Sequence, residues 1–214
     1  MEFGELRRTY RWMAHIYDRL FERFYRGMRA ANLRALAPTP SDTVLLVGVG
    51  TGLDLPHLPP IGRALALDVS PEMLVRARHA RSRSPVDCIV ADGARVPVRD
   101  GSVDAIVCHL VLCSGPDGRA LLAEAARVIR IGGRVAIIDH FAPHGRLPLW
   151  RRVASRAPAL LGTHLDRPVE PMLAGLPFVV REDRRWKRGL YRSLLLERVS
   201  PGTETTCRVD HWSE

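Results

Sequence analysis

The stretch Val44-Leu45-Leu46-Val47-Gly48-Val49-Gly50-Thr51-Gly52-Leu53-Asp54-Leu55 decides the fold of this 214-residue chain. Apolar residues from Val44 to Val47 run into glycines at alternate positions, Gly48, Gly50 and Gly52. A short apolar run bounded by turn residues reads as a strand buried on both faces of a parallel sheet. Glycines at its carboxyl end let the backbone turn tightly and approach a ligand closely. A second apolar run, Ala64 to Leu67, ends in Asp68. A carboxylate at the tip of the next strand can take both hydroxyls of a ribose, so loop and acid together frame a nucleoside-binding crevice. Two other nucleotide motifs are excluded by spacing and composition. The loop is G-x-G-x-G rather than the G-x-G-x-x-G of dinucleotide sites, and it holds no Lys, so it is not a phosphate-cradling P-loop. A cofactor with one ribose and no phosphates fits better.

Working outward, Val69-Ser70-Pro71-Glu72-Met73-Leu74 opens a helix, with Ser70 as cap and Pro71 in the first turn. A third apolar run, Val86 to Ala91, ends at Asp92-Gly93-Ala94. A turn from Pro97 to Asp104 leads into a fourth strand, Ala105 to Leu110, which carries His109 near its end. The spacing of Leu121, Leu122, Ala125, Val128 and Ile129 predicts a helix over 117–129 that stops at Gly132-Gly133. The fifth strand is Arg134 to Asp139, followed by His140. Strand-like runs at 177–186 and 190–199, joined by Lys187-Arg188-Gly189, predict a terminal hairpin. Strands alternating with helices imply an α/β doubly wound sheet with helices on both faces. Ligands of such sheets sit outside the carboxyl ends of the strands, where the glycines, Asp68, Asp92, His109 and Asp139 all fall.

With those residues in place, the sequence resembles the class I S-adenosylmethionine-dependent methyltransferases. The G-x-G-x-G loop matches their first motif, although Leu46 stands where many members have an acid. Asp68, Ser70, Met73 and Leu74 fit the D-x-S-x-x-M-L element of the ubiquinone/menaquinone-type enzymes, and Tyr17-Asp18 with Phe21 fits their Y-D-x-x-F element. Asp139-His140-Phe141, then Gly145 and Leu161-Gly162, is similar to bacterial phosphatidylethanolamine N-methyltransferases, with Asp139 in place of Asn and Thr163-His164 in place of Trp. The resemblance implies a Rossmann-like sheet of seven strands, mostly parallel with a terminal antiparallel hairpin, and S-adenosylmethionine as cofactor. It implies a cofactor site made by Tyr17 at the methionine end, the loop Gly48, Gly50, Thr51 and Gly52, then Asp68, Val69 and Met73. Asp92 would face the adenine amino group, and Gly93, Ala94 and His109 would also belong to the cofactor site. The implied reaction is methyl transfer to a small-molecule or lipid-like acceptor, for instance a phospholipid or a secondary metabolite. The alternative is an enzyme of the same fold that holds the cofactor as a scaffold without transferring its methyl.

Transfer from a sulfonium needs alignment more than acid–base chemistry. An oxygen or carbon acceptor needs a base, for which His140 and His109 at strand ends are the candidates, with Asp139 placed to orient an ammonium or hydroxyl. His144 and His164 rank below them.

The net charge is +9, and its placement is uneven. Residues 38–143 are balanced, whereas 1–37 and 144–198 carry the excess, nearly all of it Arg. The expected organisation is lid helices over 1–37, a cofactor-binding domain over 38–199 with an acceptor-side helical segment at 144–176, and a flexible tail over 200–214. A basic acceptor side suits an anionic substrate or an anionic lipid surface. The apolar spacing of Met13, Ile16, Leu20, Phe24 and Met28 predicts an amphipathic helix, packed on the domain or dipping into a membrane interface. No apolar run is long enough to span a membrane, and the first ten residues do not read as a signal peptide. Cys88, Cys108, Cys113 and Cys207 have no metal-ligand spacing. A cytoplasmic enzyme with peripheral membrane contact is the expectation. No nucleic-acid partner is expected, because no basic stripe interleaved with aromatics stands out.

Overall fold

The computed structural model describes residues 24–141, 167–187, 189 and 191–200. The expectations for Tyr17 and the rest of 1–23, for the acceptor-side segment as far as residue 166, His144 and His164 included, and for the tail beyond 200 lie outside the described residues.

Each short apolar run is a strand: β1 (Thr43–Val47), β2 (Arg63–Asp68), β3 (Val86–Val90), β4 (Val103–His109) and β5 (Ile129–Asp139). A terminal hairpin adds β6 (Phe178–Trp186) and β7 (Tyr191–Arg198). The seven strands lie in the order β3-β2-β1-β4-β5-β7-β6. The first five pair in parallel, and β7 runs antiparallel to both β5 and β6. The order reverses at β1, third in the row, with its glycine loop at the switch point.

Both faces of the sheet are covered, which is why its strands read as unbroken apolar runs rather than alternating ones. Leu45, Val47, Leu65, Leu67, Ile106 and Cys108 pack on one face against α3 (Gly118–Val128) and α4 (Glu170–Leu173). Val44, Leu46, Ala64, Ala66, Ala105 and Val107 pack on the other, against α1 (24–36) and α2 (Pro71–Ala77). Leu33 and Leu36 of α1 belong to that second core, so the carboxyl half of this helix is a structural layer of the sheet. Polar contacts also fix α1: Asn32 Nδ2 donates to the Leu194 carbonyl at 3.2 Å, and Tyr25 and Tyr191 share a hydrogen bond at 2.6 Å. Arg29 Nη1 lies 2.6 Å from Asp54 Oδ2 in the loop after β1.

The predicted helix starts are observed. Ser70 Oγ accepts from Met73 N–H with Pro71 in the first turn, and Asp117 Oδ1 accepts from Ala120 N–H. The predicted stop of the second helix is corrected. It ends at Val128, and β5 begins directly at Ile129 and runs through Gly132-Gly133. The register shifts between Val103 and Ala105, so the extra residues of β5 are absorbed as an irregularity in its pairing with β4. A Cβ on Gly133 would lie 2.8 Å from the Asp104 carbonyl oxygen, so this glycine serves strand-to-strand approach and not a helix cap.

Two expected outcomes follow from this architecture. Gly48 has φ +66°, and a Cβ there would lie 2.6 Å from Val111 Cγ2, whereas Gly50 has φ +56° with nothing in the way. Gly50→Ala meets only the left-handed backbone cost of roughly 1–2 kcal/mol, and Gly48→Ala adds overpacking of about 1–3 kcal/mol; urea titration of both variants measures the difference. Burial alone would push the Asp54 carboxyl up, but the Arg29 and His109 charges beside it, and their hydrogen bonds, hold it well below the usual carboxylate range. A lowered carboxyl in the folded state stabilises above the unfolded value and loses that stabilisation as pH falls. Asp54→Asn is therefore expected to cost about 3 kcal/mol at pH 7, with the gap to the parent shrinking steadily below about pH 4.

Candidate cofactor site

The site lies at the carboxyl ends of β1 to β4, where a single cavity is walled by the glycine loop, Asp68, the Asp92–Ala94 turn and the segment after His109. Strand order arranges these groups in space. Asp92 follows β3 and Asp68 ends β2, both on one side of the β1 loop; His109 ends β4, on the other.

Asp68 holds the loop in shape. Its Oδ2 accepts the Gly50 N–H at 2.8 Å and its Oδ1 accepts the Ser70 N–H at 2.9 Å. Burial pushes its carboxyl up, against the pull of these backbone donors. A carboxylate has about four acceptor positions, so two bonds to the backbone leave room for the hydroxyls of a sugar. Asp92 is likewise anchored, accepting the Ala94 N–H at 2.9 Å. Gly93 allows close packing there, since a Cβ would lie 2.6 Å from Val47 Cγ1. Thr51, Val69 and Met73 line the cavity. Gly52 does not: it turns its α-carbon to α2, where a Cβ would meet Ala80 Cβ at 2.9 Å and the Ala77 Cα at 3.1 Å. Its role is to let the loop dock on that helix.

His109 lines the cavity, but both ring nitrogens are committed within the protein. Nδ1 lies 2.7 Å from Asp54 Oδ1 and Nε2 lies 2.9 Å from Asn32 Oδ1. Because the Asn32 amide nitrogen donates to Leu194, its oxygen faces the ring. Both ring nitrogens are thus engaged by side-chain oxygens of the protein. No lone pair points to a substrate, which corrects the expectation of His109 as a base and makes it a structural partner of Asp54. Asp139 is corrected too. It is fully buried and does not border the cavity; its Oδ2 accepts the Cys113 N–H at 3.0 Å and its Oδ1 the His140 N–H at 2.8 Å. Instead of orienting an acceptor, it ties the chain after β4 to the end of β5. The His140 ring rests against Tyr191, centroids 4.3 Å apart, with Nδ1 3.3 Å from Asp139 Oδ1, and it too stands outside the cavity wall.

Sequence reasoning missed Arg29, Asn32 and Asp54. Asp54 was visible in the loop motif, but its partners lie far along the chain. Leu110 was missed as well: it has φ +61° at the end of β4 and borders the cavity. For a leucine that backbone is strained, and such strain gathers at functional sites.

The residues fit an adenosyl cofactor: an anchored acid for the sugar, a second acid at the next strand end, and a glycine loop with open space over Gly50. Comparison with known proteins agrees. Residues 45–137 match a family model described as a methyltransferase domain. The chain is 32% identical over 182 residues to a phosphatidylethanolamine N-methyltransferase of Cereibacter sphaeroides, across 81% of this chain and 87% of that one. It is 29% identical over 224 residues to a demethylmenaquinone methyltransferase of Tropheryma whipplei (strain Twist), across 94% and 93%. A solved geranyl diphosphate methyltransferase in complex with S-adenosylmethionine shares the fold, with TM-score 0.67 at 17% identity over 81% of this chain and 85% of that one. The chain is an enzyme that methylates small-molecule or lipid acceptors, and it belongs to the class I S-adenosylmethionine-dependent methyltransferases.

Proposed function

We propose that the acceptor is a neutral amine on a lipid-like molecule, methylated at nitrogen, and that the protein works by alignment and exclusion of water. One observation carries this reading. Among the described residues, each titratable side chain on the cavity wall already has a partner within the protein. Arg29, Asp54 and His109 bind one another, Asp68 and Asp92 accept backbone N–H groups, and Asp117 caps α3. When bound, S-adenosylmethionine supplies a methyl group already activated on sulfur. An alcohol or carbon acid would need a positioned base as well. A neutral amine brings its own lone pair and needs only to be held in line. The relative from Cereibacter sphaeroides is named for methylation of a phospholipid amine, the same chemistry.

Peripheral contact with an anionic lipid surface goes with this reading. The net charge of +9 is concentrated in 1–37 and 144–198, and among the described residues no helix is long and apolar enough to cross a membrane. Phe24, 39% exposed, lies near the amino end of α1 with Lys187 Nζ 4.8 Å from its ring centroid, an apolar-plus-basic pairing suited to an interface.

Calorimetry with S-adenosylhomocysteine tests the sugar grip. Asp68→Asn is expected to weaken binding roughly 10- to 100-fold, the worth of about 1.5–3 kcal/mol for hydrogen bonds to a charged group. Because the Asp68 carboxyl is pushed up, affinity of the parent protein should fall with pH sooner than an ordinary carboxylate would make it. The amine reading is tested by initial rates on vesicles containing an aminophospholipid. Log kcat/KM should climb with pH towards the amine's own pKa, and His140→Gln should change it only a few-fold. A loss of about 10²–10⁴ in His140→Gln, or methylation of an alcohol in place of the amine, overturns it.

A further inference from the structure

We propose that Arg167 is a positioning residue for methyl transfer. It locks the cavity wall between β4 and α3 to the chain that returns from the acceptor side, so that acceptor and cofactor strengthen each other's binding. This rests on the acceptor reading above and names the residue through which that acceptor acts on the cofactor cavity.

The connection 110–117 between β4 and α3 supplies one wall of the cavity, with Leu110, Val111 and Ser114 to Asp117 on its surface. It opens on Leu110 at φ +61° and continues as irregular chain. Its internal bonds are those of a turn: Gly115 N–H donates to the Val111 carbonyl at 3.0 Å, and the Ser114 hydroxyl to the Leu110 carbonyl at 3.0 Å. A strained backbone persists where its surroundings over-determine it. Two long-range ties do so here. Asp139 Oδ2 accepts the Cys113 N–H at 3.0 Å. Arg167 donates from Nη1 to the Gly115 carbonyl at 2.6 Å and from Nη2 to the Pro116 carbonyl at 3.2 Å. The planar fork of a guanidinium spans two successive carbonyls, whereas a Lys ammonium is a single point charge.

The two ties come from the two ends of one stretch of chain. Asp139 closes β5, and Arg167 stands just ahead of α4. Residues 144–198 hold the excess of Arg over acid that marks this as the acceptor side. Arg167 has a fixed base to act from. Arg119, in the first turn of α3, donates from Nη1 to the carbonyls of Ala174 at 2.7 Å and Pro171 at 3.2 Å, and Arg192 Nη1 bonds Glu170 Oε1 at 2.7 Å. Gly118 lets α3 and α4 meet, since a Cβ there would lie 3.0 Å from Met172 Sδ. Wall, α3 and α4 therefore form one unit. A cofactor that fixes the wall also fixes the point where the acceptor-side chain returns, and an acceptor that fixes that chain also fixes the wall. The ordering cost is then met once for two ligands, which gives positive coupling without contact between them. Linkage makes the effect reciprocal.

Calorimetry on the full chain measures affinity for S-adenosylhomocysteine in the presence of vesicles of phosphatidylglycerol with phosphatidylethanolamine, and of phosphatidylglycerol alone. In the parent protein the aminophospholipid is expected to tighten S-adenosylhomocysteine roughly 5- to 150-fold, the range of allosteric coupling. In Arg167→Gln that tightening should vanish, whatever the variant does to the affinity without aminophospholipid. Arg167→Lys, which keeps the charge and loses the fork, should recover part of it. A merely structural role would weaken S-adenosylhomocysteine equally on both vesicles and leave the tightening intact, and that result overturns the proposal. Should Arg167→Gln bind nothing at all, Arg167→Lys decides: the parent's full tightening overturns the proposal, and a partial one supports it. Methyl transfer to the aminophospholipid is followed alongside. A parent that methylates the lipid without any tightening sinks the coupling alone. A parent that methylates none of it sinks the acceptor reading, and the coupling with it.

Discussion

The Asp68 carboxylate is the contact on which the nucleoside end of this site depends. It accepts one backbone N–H from the glycine loop of β1 and another from the start of α2. The loop after β1 is thereby fixed to the end of β2 and the start of the helix that follows it. The loop can adopt this shape because Gly48 and Gly50 have positive φ. Without the carboxylate, the Gly50 and Ser70 donors would be left part-buried and unpaired, a cost of about 1–3 kcal/mol each. The group that shapes the loop is also the group that remains able to accept from a ligand.

The cavity wall carries several ionisable groups, and in the described structure none is idle. Asp117 is consumed by the start of α3, Asp92 by its own turn, and His109 by Asp54 and Asn32. Fixed dipoles and charges of this kind cost no reorganisation when a reaction occurs. They are poor at abstracting protons and good at holding a polar ligand in one pose. A displacement whose methyl is already activated asks for the second property. This is why Asp139 and His140, although they stand at the end of β5 as expected, act within the fold: one is sealed under backbone donors, and the other rests on Tyr191.

Much of the fold was legible in the sequence, because a sheet covered on both faces imposes apolar runs and ends them in glycine or acid. Val44–Val47, Ala64–Asp68 and Val86–Val90 all announced themselves in this way, Ser70 announced its helix by capping chemistry, and the apolar spacing from Leu121 to Val128 announced the next. The segment 129–133 misled for a physical reason: Gly132-Gly133 after a helical pattern reads as a stop, yet here Gly133 relieves crowding against Asp104 in a strand that has already begun. The far end of the cavity was illegible. Arg29, Asn32, Asp54 and His109 come from α1, the β1 loop and β4, and the contacts of His109 span 55 and 77 residues. No local pattern encodes such a meeting. Gly52 shows the same limit at short range, since spacing placed it in the loop but could not say which way its α-carbon turns.

Asp54 and Asp68 show how one residue type comes to serve two ends of a site. Both are aspartates on the same cavity wall, and both are nearly buried, at 4% and 9% exposure. Burial raises the carboxyl of each, yet the outcomes are opposite: Asp68 stays above the ordinary range and Asp54 falls well below it. The partners make the difference. Backbone N–H groups carry partial charges and do not fully repay desolvation, whereas Arg29 brings a whole charge, and His109 a further hydrogen bond, to Asp54. Asp68 is therefore a carboxylate that still gains from further donors, the property a sugar's hydroxyls need. Asp54 is already saturated by its partners and gains nothing from more. Its effect is to hold Arg29 and His109 together at that end of the cavity.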